Sequence, residues 1–358
     1  MARQVVWINR LDKLKEQLNL LNIDAFLVTK AENIFYLSNF TGGSDAKLLV
    51  SEIDNYIITD SRYTEQVKLE SPEWELIETK PSSDSRWLEL LKKYKKIAFE
   101  TSISYKDYKK IQEGLGDNLV ATDNVIEKLR MIKEPQEIKL LKETAQISTK
   151  VFAEIKNYIA EGLTEREIAN QIVFLLKANG CTKEAFDTIV VAGENSALPH
   201  GAPSNRQLAR GDMLTLDYGG FYRGYAGDMT RTVVIGEANS KLKDYYAKLL
   251  EAQELGVSLV KAGVMAKDID KAVRNLLINY DLARYFVHST GHGLGLEVHE
   301  IPSISYKSDI ILQENMVITI EPGIYIKGWG GIRIEDTVIV KSDSCEVITK
   351  ADKDLLIF

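Results

Sequence analysis

The chain has 358 residues, 45% of them hydrophobic and 27% charged, with a formal net charge of −7. Its length exceeds the ~100–150 residues of one typical domain, so two domains are expected. The composition suits a globular core, and the acidic balance gives no electrostatic basis for binding nucleic acid or an anionic membrane. The opening MARQVVWINRLDKLKEQ holds no apolar stretch long enough for a signal peptide. No run approaches the ~20 apolar residues of a spanning helix. Cys181 and Cys345 make neither a disulfide framework nor a metal-ligand spacing, so free thiols in a reducing cytoplasm are expected.

Along the chain, Ile8, Leu11, Leu14, Leu18 and Leu21 form a stripe that predicts a helix over 8–22. AFLV (25–28), KLLV (47–50), YIIT (56–59), ELIE (75–78) and KIAFE (96–100) read as strands. Helices are predicted between them at 61–70 and 84–96, with KKYKK (92–96) as a solvated helix end. This alternation predicts an α/β domain with a mixed sheet. No GxGxxG follows a strand, so a dinucleotide site is not expected. A boundary is placed at 127/128, giving a smaller domain over 1–127 and a larger one over 128–358. Pro135 is well placed to start a long amphipathic helix. Thr164 with Glu167 forms a capping-box pattern that starts another. Strands follow over 186–235, two helices over 241–280, and strands again from 285. The larger domain carries a weak duplication: Gly162 matches Gly263, Ile168 matches Ile269, and Leu175–Leu176 match Leu276–Leu277. Two half-units closing a curved sheet, helices outside and ligands on the concave side, would explain it.

Four carboxylates in this domain lie in otherwise apolar, strand-like segments: Asp217 in MLTLDYGG, Asp228 in YAGDMTRTVVI, Glu321 in MVITIEPGIYI and Glu335 in IRIEDTVIV. An unpaired buried charge costs several kcal/mol or more, roughly. Alternation along a strand puts Asp217 with Thr215, Asp228 with Thr230, Glu321 with Thr319, and Glu335 with Arg333 and Thr337. Four acids and the single imidazole of His292 call for cations, and two divalent ions would neutralise them. Such donors favour manganese, with cobalt, zinc or iron as alternatives. Two bridged ions can activate water and polarise a carbonyl together, which fits amide hydrolysis.

Asp217 and Asp228, HSTGHGLGLEVHE (288–300), EPGIYI (321–326) and GIRIED (331–336) together resemble the pita-bread metallopeptidases. That family includes methionine aminopeptidases, aminopeptidase P and prolidases. FYLSNFTGGSDAKLLV and ITDSRYTEQ resemble the amino-terminal domain of its proline-specific branch. The resemblance implies an α+β chain: a carboxy-terminal pita-bread fold, with pseudo-twofold symmetry, after a smaller creatinase-like α/β domain. It implies that Asp217 chelates one metal, that Asp228 and Glu335 bridge both, and that His292 and Glu321 complete the other. Glu321 would also shuttle the proton of a metal-bridging hydroxide. His200 resembles the histidine that closes over the substrate, His288 the one at the scissile region, and His299 the donor to the developing oxyanion. Arg333 would pair with a ligand carboxylate, and Tyr325 would stand near the site. Two-domain relatives are commonly dimers, so a homodimer is expected.

The substrate implied is a peptide with proline second, whose tertiary amide has no N–H and a fixed φ. Many prolidases place an arginine four residues after the VHE histidine to take the dipeptide carboxylate. Here that position is Ser303. The expectation is therefore an Xaa-Pro aminopeptidase, with the Xaa-Pro dipeptidase (prolidase) as the alternative. A non-catalytic binding protein on the same scaffold is the remote third reading, disfavoured because all five ligands are in place.

Overall fold

The computed structural model describes residues 2–80 and 86–358; the Ile8 side chain and residues 84–85 of the predicted helices lie outside the described residues. The chain divides into two compact units, Met1–Arg130 and Met131–Phe358. No helix among the described residues is long and apolar enough to cross a membrane.

The first unit is built on a six-stranded mixed sheet. Its order is Glu75–Thr79, Asn55–Asp60, Lys47–Ser51, Ala25–Val28, Ile97–Glu100 and Leu119–Thr122. Ala25–Val28 pairs antiparallel with Lys47–Ser51 and parallel with Ile97–Glu100. Both Ala25–Val28 and Ile97–Glu100 are buried along their length, which is why they read as continuous apolar runs. The helix predicted over 84–96 stops at Leu91, so KKYKK is a turn rather than a helix end. Tyr94 donates to Asp54 Oδ2 at 2.9 Å, and the Lys95 and Lys96 amides donate to Asp24 Oδ2 at 2.9 and 2.8 Å. These bonds turn the chain into the next strand. A helix over Ala31–Ser38 was not foreseen. It has no side-chain cap at Lys30, and it ends at Asn39 in the left-handed region.

The second unit has two halves with the same plan. Helices Pro135–Ile155 and Glu165–Ala178 precede strands Ile189–Ala192, Met213–Tyr218 and Met229–Val234. Helices Ser240–Ser258 and Ala266–Asn279 precede Gly291–Gly293, Val317–Ile320 and Asp336–Val340. Pro135 occupies the first turn of its helix, and Thr164 with Glu167 closes a capping box. The amide of Gly162 donates to Leu208 O, and that of Gly263 to Leu312 O. Both glycines have φ near +88° (88° and 87°), a region open to glycine. The Leu208 amide returns to Leu163 O, and the Leu312 amide to Val264 O. Gly211 donates to Ile235 O, and Asn315 to Val340 O. Strand register repeats too: Thr215 faces Thr232 and Leu216 faces Arg231, while Thr319 faces Thr337 and Ile320 faces Asp336. The duplication hinted at by a few sequence matches is thus a repeated hydrogen-bond framework. It equates Asp217 with Glu321, and Arg231 with Asp336.

Three of the four acidic segments are broken where continuous strands were expected. MVITIEPGIYI splits into Val317–Ile320 and Gly323–Ile326, because Pro322 has no amide to continue the ladder. IRIEDTVIV splits into Gly330–Arg333, which pairs with Gly323–Ile326, and Asp336–Val340, which pairs with Val317–Ile320. YAGDMTRTVVI splits into Tyr225–Ala226 and Met229–Val234. Only Asp217 lies within a strand; Asp228, Glu321 and Glu335 occupy junctions. One such junction is closely packed: a Cβ at Gly219 would lie 1.7 Å from Gly227 O. Gly219→Ala is expected to lower stability by about 1–3 kcal/mol or more, seen as a drop in the urea midpoint at unchanged slope.

Candidate metal centre

The junctions bring acids and one imidazole together. Asp228, His292 and Glu335 are buried, and each offers a ligand atom within 4.8 Å of the others, so this trio could hold an ion. His292 Nε2 lies 3.6 Å from Asp228 Oδ2 and 3.4 Å from Glu321 Oε1. Glu335 Oε2 accepts from Thr230 Oγ1 at 2.7 Å, and the Glu335 amide donates to Thr230 O at 3.2 Å. Asp217 faces Thr230 across the ladder. Its Oδ2 accepts from Arg333 Nη2 at 2.6 Å, while its Oδ1 is buried and receives no hydrogen bond. That orphaned acceptor and the crowding of acids fit a divalent cation.

Electrostatics point the same way. Desolvation, then the charges of Glu335 and Asp217, raise Asp228 well above the usual carboxylate range. Desolvation, then Glu321 and Asp217, do the same to Glu335. Glu321 is pushed up to about 8, chiefly by desolvation, against the lowering effect of Arg333. Among the described residues, the guanidinium of Arg333 is the cation that reaches this cluster. Arg231, three residues after Asp228, turns instead toward Asp336.

Hydrogen bonding fixes the imidazoles. His292 Nδ1 donates to Gly293 O at 3.0 Å, leaving the Nε2 lone pair aimed at the acids. Burial lowers the His292 pKa to about 4, so the ring is neutral there. His288 Nδ1 donates to Ser289 O at 2.8 Å, so its Nε2 accepts from Tyr325 OH at 2.9 Å. The Tyr325 oxygen in turn accepts from Arg333 Nη1 at 2.7 Å. Burial also takes His288 to about 4. The His299 ring stands 4.3 Å from that of His292, centroid to centroid. His200 is exposed, next to Pro199, whose carbonyl accepts from Arg333 Nη1 at 3.3 Å. Tyr325 is a link between Arg333 and His288.

Sequence reasoning missed the brace behind His288. Asp270 Oδ1 accepts from the Thr290 amide and hydroxyl at 3.1 and 2.8 Å. Arg274, paired with Asp270 at 2.7 Å, donates to Phe286 O and His288 O. An Asp–Arg pair four apart on a helix reads as an ordinary surface pair. Only the full burial of Asp270 distinguishes it.

Comparison with known proteins agrees with this architecture. Residues 10–132 match the Creatinase/Prolidase N-terminal domain. The Xaa-Pro dipeptidase of Pyrococcus furiosus is 36% identical over 97% of this chain and 99% of its own. The solved Xaa-Pro dipeptidase from Bacillus anthracis is 39% identical, with a TM-score of 0.95 over 98% of this chain and all (100%) of that one. An X-Pro aminopeptidase from Thermotoga maritima is 38% identical, with a TM-score of 0.88 over 97% of this chain and 99% of its own. With the pita-bread architecture in its second unit and residues 139–342 matching the family, the chain belongs to metallopeptidase family M24.

Proposed function

We propose that this chain is a dinuclear metal-dependent Xaa-Pro dipeptidase. This reverses the order expected from Ser303, and the named relatives support the reversal: dipeptidases match along nearly the whole chain, at up to 39% identity. The observation that carries the hydrolytic reading is the buried acid cluster around His292 Nε2, matched by one guanidinium. Asp217, Asp228, His292, Glu321 and Glu335 would hold two divalent ions, manganese by preference. When bound, such ions polarise a carbonyl oxygen and lower the pKa of water.

The remaining roles belong to the chain's own groups. Glu321 is the most exposed acid of the set, its side chain 17% accessible, and would take a proton from water and return it to the departing proline nitrogen. That nitrogen leaves as a secondary amine and needs a proton. His299 would donate to the carbonyl oxygen as it becomes tetrahedral. His288 cannot donate from Nε2 while Tyr325 does, so it would accept or reorient when substrate arrives. His200, on an exposed segment tethered by Arg333, would contact the substrate from above.

One observation favours the aminopeptidase as a second reading. Ser303 is exposed and faces His292 in register, and Arg333 is already committed to Asp217. A dipeptide carboxylate would then need another cation. Release of proline from an Xaa-Pro dipeptide, set against cleavage of Xaa-Pro-Yaa with manganese present, decides between them. Faster turnover of the dipeptide is expected; turnover confined to the tripeptide reverses the assignment.

Asp228→Ala and Glu335→Ala are each expected to lower kcat by ~10³-fold or more, since each would remove an acid that would hold the metal. Bound manganese measured by elemental analysis should fall in parallel. Raised carboxyls must lose protons to bind a cation, so manganese binding at pH 7 is expected to release protons. Calorimetry in buffers of different ionisation enthalpy reads this directly. A carboxyl held up in the native state favours folding while protonated. Stability of the metal-free protein should therefore fall as pH rises from 4.5, the ordinary value for Glu321, to about 8. Urea midpoints across that window give the check.

A further inference from the structure

The acids of the metal centre face one side of the Met229–Val234 strand, and a second charged cluster lies on the other. Thr230 and Thr232 point toward Glu335 and Thr215. Arg231, between them, points the opposite way by strand alternation. It is 1% exposed, and its partner Asp336 is 0% exposed. All five guanidinium donors are used. Nη2 donates to Asp336 Oδ1 at 2.8 Å and to Ala351 O at 2.7 Å. Nε donates to Asp352 O at 3.0 Å. Nη1 donates to Thr230 O at 2.9 Å and to Glu335 O.

The last two bonds matter for the site. The Glu335 amide already donates to Thr230 O, and its side chain accepts from Thr230 Oγ1. With Arg231 on its carbonyl, Glu335 is held at both peptide ends and at its carboxylate. Thr230 is held in the same grip, two residues after Asp228. Charge balance alone does not explain Arg231, because Asp336 also meets Lys353 at 3.0 Å and accepts from Gln253 and Thr349. A buried ion pair is often no better for stability than apolar residues of similar size. What an arginine adds here is the planar fork that reaches both carbonyls through Nη1 while Nη2 holds Asp336 and Ala351 O.

We propose that Arg231 is a positioning residue of the metal centre, acting through the backbone of Thr230 and Glu335, with Asp336 as its anchor. This rests on the metal-centre reading of the preceding subsection. Arg231→Lys keeps the charge but has one terminal nitrogen, which cannot stand both at Nη1, on the Thr230 and Glu335 carbonyls, and at Nη2, on Asp336. Its affinity for manganese, titrated into metal-free protein by calorimetry, is expected to fall about 10–100-fold, the range for residues that orient ligands. Asp336→Asn keeps the oxygen that anchors the fork, and its affinity should stay within about threefold of the wild type. Wild-type affinity in Arg231→Lys overturns the proposal, as does an equal loss in both variants, since the charge network would then set the site. Should Arg231→Lys not fold, hydrogen exchange of wild-type residues 331–340 supplies the test. Protection of this segment should be the same without and with manganese; protection gained only with the ion overturns the preset grip. Failure of the wild type itself to bind manganese sinks the metal-centre reading instead, and the two failures are distinguishable.

Discussion

An excess of buried negative charge governs the second unit. Asp217, Asp228 and Glu335 are all under 9% exposed (8%, 5% and 2%), with Glu321 beside them and Arg333 as the guanidinium that reaches the group. Desolvation of that many acids is unfavourable unless protons or cations compensate. The surroundings are arranged to tolerate it. Threonines line the same face, where Thr230 donates to Glu335 and Thr337 donates to Asp228 O. His292 is locked in the tautomer that turns a lone pair, not a proton, toward the acids. Tyr325 and His288 extend the Arg333 contact away from Asp217. Each feature makes sense as support for a cation-binding hollow, and few make sense without one.

Much of this was legible in the sequence because the signals were local. Pro135 and the Thr164–Glu167 pair mark helix starts through bonds made within one turn. Acids embedded in apolar strand patterns stand out because burial is implied by their neighbours. What was not legible depended on contacts distant in the chain. The Ala31–Ser38 helix has no capping side chain, and its apolar residues fill the first unit's core rather than a clear stripe. KKYKK looked helical until Asp24, seventy-odd residues earlier, took its amides. The break between Arg333 and Asp336 is set by two different pairing partners, which no single segment can announce. Asp270 and Arg274 gave no signal, because burial by a later loop leaves no local trace.

The repeat shows how such a site can be assembled from a duplicated scaffold. Equivalent positions carry Asp217 and Glu321, both acidic, but Thr230 and Glu335 have diverged and now bond to each other. Arg231 and Asp336 are likewise equivalent and paired, with opposite charges. Positions related by the repeat meet near its axis, so a change in one half is answered directly by the other. The backbone framework, from the Gly162 and Gly263 turns to the matched threonine registers, has stayed the same while the side chains specialised.

The division of the acids between halves also bears on how the protein comes into being. Asp217 and Asp228 leave the ribosome before helices Ser240–Ser258 and Ala266–Asn279, and His292, Glu321 and Glu335 only after them. A nascent chain therefore carries an incomplete cage through most of its synthesis. With the proposed metal centre, capture of ions would be a maturation event, dated by the emergence of the final strands.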